Sequence, residues 1–176
     1  MERGSSSQRR GNGVLHGCPC GYHTDPRREC HCTPHQIQRY LSRISGPLLD
    51  RIDIHIDVPA VQYQDLKSEI TGESSSQIRE RVIAARERQR RRFTGSGVFT
   101  NSRMTTRHLK KYCVLKDDAE DLLHTAMVEM ALSARAHNKI LKVSRTIADL
   151  ADSADITLEH IGEAIQYRTL DRALWR

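Results

Sequence analysis

The residues whose types and spacing suit chemistry lie near the start of the chain. Cys18, Cys20, Cys30 and Cys32 form two C-x-C pairs joined by a nine-residue loop, and only Cys113 lies elsewhere. Two close thiolate pairs offer the four soft ligands that a tetrahedral Zn²⁺ requires. C-x-C is tighter than the usual C-x2-C knuckle, so four reduced thiols in an exposed loop stay open as the other reading. His23, His31 and His35 are substitute ligands. Disulfides are the weaker reading, because the N-terminus has no apolar segment resembling a secretory signal. No apolar run approaches a membrane span, so a soluble, cytoplasmic protein is expected.

Charge offers a second candidate. Arg79, Arg81, Arg86, Arg88, Arg90, Arg91 and Arg92 crowd one stretch, and the chain carries a net charge of +6. Such a row can meet nucleic acid phosphates. Glu80 and Glu87 within it favour the plainer reading, a solvated helix face. Nothing resembles a Ser-His-Asp or Cys-His set, and Cys113 falls on an apolar face, where it reads as core. No G-x-x-x-x-G-K-[ST] loop occurs to cradle phosphates, and no apolar run ends in an acidic pair that holds Mg²⁺.

The elements that must position these residues are mostly helical. At 176 residues, 38% hydrophobic and 5% aromatic, the chain supports one modest helical core. Residues 1–17, rich in Gly, Ser and Arg, read as a flexible leader or an expression scar. A Cys/His/Pro-rich loop follows, then a weak helix from Gln36 to Leu49 broken at Ser45-Gly46-Pro47. Ile52, Ile54, Ile56 and Val58 alternate with Asp53, His55 and Asp57, which is a strand signal. A lone strand cannot satisfy its own backbone donors, so it is expected to be unpaired or marginal here.

Beyond it, Gln77 to Phe93 reads as a helix with Ile78, Val82 and Ala85 on one face, and Arg107 to Cys113 as a short one. Asp117, with Glu120 three residues on, is a capping-box start for a helix bearing Ala119, Leu122, Leu123, Ala126, Met127 and Met130 inward. Ser133 caps a helix carrying Ala136, Ile140, Val143, Ile147 and Leu150. Thr157 opens the last, with Leu158, Ile161, Ala164 and Ile165 inward. Short connections between amphipathic helices predict a compact bundle.

Two stretches carry a family resemblance. CPCGYHTDPRRECHC with RYLSRISGPLLDRIDIHIDVP (residues 18–32 and 39–59), and SARAHNKILKVSRTIADLADSADITLEHIGEAIQYRTLD (residues 133–171), closely resemble magnesium-chelatase-like AAA+ ATPases of the ComM/YifB kind. Chelatase ATPase subunits and minichromosome-maintenance helicases are more distantly similar. The resemblance runs from about residue 18 to the C-terminus.

It implies a mainly α fold: a helical-bundle AAA+ lid preceded by a disordered or partial remnant of the α/β core. Residues 18–59 would be that remnant, 60–100 an Arg-rich helix and linker, and 101–176 the lid. Residues 1–50 are expected to be largely disordered without the rest of the core. Arg51, in PLLDRID, corresponds to the arginine finger that a subunit lends to its neighbour's ATP. Arg suits that task because its fork stays charged and binds phosphate oxygens bidentately. The plain alternative is a surface Arg flanked by Asp50 and Asp53.

Arg145, in SRTIADL, corresponds to the sensor-2 arginine that the lid returns to its own subunit's nucleotide, and is expected near the edge of the packed stripe. Its alternative is an i,i+4 partner of Asp149. The resemblance further implies ATP and Mg²⁺ as cofactors of the whole protein, a homo-hexamer, and DNA remodelling such as ComM-like branch migration, whereas Zn²⁺ on Cys18, Cys20, Cys30 and Cys32 rests on their spacing alone. A chelatase motor and a zinc-dependent nucleic-acid-binding module are the alternatives. Two departures stand out: His16 and Gly17 replace the family's Asn-Pro before CPCG, and Ser144 replaces its usual Ala. With no phosphate loop in it, this polypeptide alone is not expected to hydrolyse ATP.

Overall fold

The computed structural model describes residues 16–168, apart from 24, 26, 57, 59–60 and 62–71. The leader up to residue 15 therefore lies outside the described residues. The chain divides into two compact units, Met1–Ile44 and Ser45–Arg176. Among the described residues the regular elements are seven α-helices and one 3₁₀ turn, the mainly α fold that the periodicity predicts.

In the first unit the C-P-C-G turn closes through a bond from the Gly21 amide to the Cys18 carbonyl at 3.1 Å. Gly21 takes a φ of +84°, a region that side chains with a Cβ resist. α1 (Pro34–Leu41) starts two residues after Cys32 with Thr33 as N-cap, Gln36 completing the capping box and Pro in the first turn. Residues 1–50 are thus not wholly without structure: α1 and, in the second unit, α2 (Gly46–Leu49) are both formed. Each opens on a local start signal, a capping box with Pro in α1 and a Pro in the first turn of α2.

The second unit is a bundle built around one long helix. After α2 come α3 (Ser75–Arg92), the 3₁₀ turn Asn101–Arg103, α4 (Thr106–Tyr112), α5 (Asp117–Glu129), α6 (Ala134–Leu150) and α7 (Leu158–Gln166). α3, α4, α7 and the 3₁₀ turn all pack on α6, and α7 also packs on α5. Leu109, Cys113, Leu123, Ile140, Ile156 and Ile161 fill the centre, with Phe93 set edge-on against Tyr112 at 5.6 Å. Ile140 is wholly buried. Cutting it to alanine should lower stability by about 2–5 kcal/mol, read as an earlier midpoint in urea with an unchanged slope.

The structure departs from the sequence pattern in several places. α5 begins after Lys116 with no side-chain cap, so Asp117, Asp118 and Glu120 occupy its first turn instead of capping it. There their charge favours the positive end of the helix. In α3, Ile78 and Val82 are exposed and only Ala85 of the expected face is buried, because the N-terminal half of the helix stands clear of the core. The alternating segment from Ile52 forms no strand among the described residues. Its apolar side chains point outward, Val58 being 75% exposed, whereas His55 is buried and its amide bonds the Tyr167 carbonyl at 2.8 Å. Without neighbouring strands the ladder cannot form, as its isolation predicts.

Candidate functional site

The two cysteine pairs converge. The Cys18 sulfur lies 3.2 Å from that of Cys20 and 3.7 Å from that of Cys30, and Cys20 and Cys30 are 3.6 Å apart. With Cys32, all four sulfurs fall within 4.8 Å of one another. A tetrahedron with metal–sulfur bonds of ~2.3 Å has sulfur–sulfur edges of ~3.8 Å, so the set fits a zinc ion. All four are free cysteines. Backbone amides face the sulfurs: those of Gly21 and His23 reach Cys18, that of Cys32 reaches Cys30, and that of Cys20 reaches Cys32. Donors aimed at sulfur favour thiolate, the form that binds metal, and hold Cys18 down at about 6, while the neighbouring thiols and burial push Cys30 and Cys32 up. His23, His31 and His35 are not needed to complete the set.

Arg51 sits in the turn that follows α2, and its side chain is exposed. Both flanking acids are drawn to the bundle. Asp50 accepts from the Ser133 hydroxyl at 3.0 Å and pairs with Arg168 and Arg135, each at 3.7 Å. Asp53 pairs with Lys139 at 2.8 Å. Among the described residues neither acid pairs with Arg51, which is exposed as both an arginine finger and a plain surface arginine would be.

Arg145 does not emerge at the edge of the stripe. It is 3% exposed, with its two terminal nitrogens donating to the Ala154 and Ser153 carbonyls at 2.8 and 2.7 Å. Its Nε lies 3.3 Å from a carboxylate oxygen of Asp149, which is wholly buried. Desolvation pulls its pKa down, and Asp149 opposes that shift. Asp149 also receives both terminal nitrogens of Arg92, one of them at 2.7 Å, and the Asn101 amide at 2.8 Å. α3, the 3₁₀ turn and α6 are thus clamped by one buried carboxylate.

Helical spacing missed this because the buried face of α6 includes polar residues with internal partners: Arg145 pairs with Asp149, and the Ser144 hydroxyl donates to the Leu141 carbonyl at 3.1 Å. The i,i+4 pairing of Arg145 with Asp149, the alternative that the sequence offers, is formed. The arginine row divides accordingly. Arg88 donates to the Asp149 carbonyl at 2.8 Å and pairs with Asp152, while Arg79, Arg81, Arg90 and Arg91 face solvent. α3, the Arg-rich helix of the sequence reading, is packed on α6.

Sequence reasoning passed over Arg135. It sits in the first turn of α6 with 60% of its side chain exposed, beside Asp50. Cys113 is buried and core-like: burial pushes its thiol up to about 11, against the pull of Arg145 and Arg92.

A family model described as magnesium chelatase, subunit ChlI C-terminal, matches residues 72–168, and one described as magnesium chelatase, subunit ChlI, matches residues 13–66. An uncharacterized protein YifB of Salmonella typhimurium is 44% identical over 144 residues, which are 81% of this chain and 28% of that protein. The competence protein ComM of Haemophilus influenzae is 40% identical over 162 residues, 92% of this chain and 31% of its own length. An uncharacterized protein of Mycobacterium tuberculosis is 33% identical over 151 residues, 86% of this chain and 29% of that protein. The chain thus spans less than a third of the length of these relatives. No helix among the described residues is long and apolar enough to cross a membrane.

Proposed function

The chain belongs to the magnesium chelatase ChlI C-terminal family, and on that premise we propose that it is the lid and subunit-interface portion of a hexameric AAA+ ATPase. The observation that carries this reading is the exposure of Arg51: among the described residues both neighbouring acids are held by the bundle, leaving an exposed guanidinium for a phosphate on an adjoining subunit. ATP and Mg²⁺ are then cofactors of the whole protein, with the phosphate loop supplied outside this chain. The outward Ile54, Ile56 and Val58 support the same view, since a core sheet elsewhere in that protein would cover them. The cysteine set is read as a zinc site. The competence protein among the relatives favours DNA as the remodelled substrate over a porphyrin.

The lid's own arginine for the nucleotide is Arg145 by resemblance. Its burial favours a second reading in which Arg135, exposed on the first turn of the same helix, takes that role. Two alanine variants of the complete protein separate them. Arg135→Ala should lower ATP turnover by at least ~10³-fold, the scale of a lost transition-state arginine, with an unchanged melting temperature. Arg145→Ala should lower the melting temperature. If Arg145→Ala instead melts normally and loses turnover, Arg145 is the nucleotide's partner. A calorimetric titration of the present chain with ATP and Mg²⁺ should show no micromolar binding; saturable heat at that level would misplace the phosphate site.

A further inference from the structure

The first unit holds structure with almost nothing apolar to hold it. Among its described residues the buried apolar side chains are Cys18 and Ile44, and α1 buries none of its residues. A helix of eight residues is far below the ~12–15 at which isolated helices become even marginal in water. A capping box and a leading Pro stabilise only the first turn, which does not offset the cost of ordering eight residues. A segment this small and this polar requires a staple.

The sulfur cluster is placed to be that staple. Cys32 is two residues from the first residue of α1, and Thr33 between them is its N-cap. Fixing Cys32 therefore fixes the cap, and Cys30 ties the same strand of chain to the C-P-C-G turn at Cys18 and Cys20. Around the turn, Arg28 donates to the Tyr22 hydroxyl at 2.7 Å and lies over its ring at 5.0 Å, a contact that closes the loop but is exposed.

We infer that a zinc ion bound by Cys18, Cys20, Cys30 and Cys32 is the folding nucleus of the first unit, so that α1 forms only in the metal-bound chain. This rests on the zinc reading of the cysteine set and goes beyond it, by making the metal a folding switch confined to one unit. Four thiols lose their protons as Zn²⁺ enters, leaving a site of net charge −2 in a loop that also carries Arg27 and Arg28. The second unit has its own core and its own buried polar clamp, and its helices keep their structure without the metal.

The full chain, purified under a thiol reductant, tests this. Elemental analysis should give one zinc per chain. After removal of zinc with excess chelator, NMR backbone shifts of residues 34–41 should collapse to random-coil values. Those of residues 117–129, 134–150 and 158–166 should stay helical. One equivalent of Zn²⁺ should restore the first set. The double variant Cys30→Ser, Cys32→Ser should show the collapsed spectrum with zinc present. A chain that binds one zinc but keeps residues 34–41 helical without it overturns the inference and leaves the zinc reading standing. A reduced chain that takes up no zinc overturns both.

Discussion

Asp149→Ala should cost the helical unit about 3–5 kcal/mol, the usual penalty for removing one partner of a buried charge pair. Asp149 is wholly buried, and without it Arg92 and Arg145, whose side chains are 15% and 4% exposed, would face each other across an apolar gap with no anion between them. The Asn101 amide would lose its acceptor as well. Small domains are stable by ~5–15 kcal/mol in all, so the variant should sit near the edge of folding. Urea denaturation followed by circular dichroism reads the loss. Replacing the whole cluster by apolar residues of similar volume should cost far less than removing Asp149 alone, because the expense lies in the orphaned charges. Arg135→Ala is the control: an exposed pair at 3.7 Å should move stability by under ~1 kcal/mol. A similar loss for both variants would mean that the buried carboxylate is not the clamp.

Arg51→Ala should reduce ATP turnover of the complete protein by about 10³- to 10⁵-fold, the range observed for arginine fingers. The cause is the loss of a cation placed where charge develops on the transferring phosphoryl group. Because Arg51 is exposed and outside the bundle's ion pairs, the variant should melt with wild-type cooperativity. Arg51→Lys should recover little, since an ammonium cannot replace a planar bidentate fork. A steady-state assay at saturating ATP measures it, and a change in KM alone would point to a binding role and not a transition-state one.

The long helices were legible because their apolar spacing repeats within one element. Ile140, Ile161 and Leu123 lie where three-and-four spacing puts them, and the Ser133 cap bonds the Ala136 amide at 3.1 Å. The cysteine set was legible for a similar reason: few arrangements satisfy two close pairs on a short loop. Arg145 was misplaced because amphipathic periodicity scores every charged residue as solvent-facing. Its partner Asp149 lies one turn along α6, but Asp149 is shared with Arg92, 57 positions from Asp149, and no local pattern reports a contact of that span. Leu158 failed on a smaller scale: placed inward by spacing, it is 39% exposed at the first residue of α7, where the helix has yet to meet α5. The state of Asp50 and Asp53 was equally hidden, although it decides whether Arg51 is free.

The most direct measurement mixes two inactive subunits of the complete protein. One carries Arg51→Ala with an intact phosphate loop, and the other lacks the phosphate-loop lysine but keeps Arg51. If Arg51 acts across the subunit boundary, mixed rings contain sites whose nucleotide loop comes from the first subunit and whose finger comes from the second, and ATPase activity should reappear. Activity that stays at the level of either variant alone, in rings shown to contain both, would contradict the account.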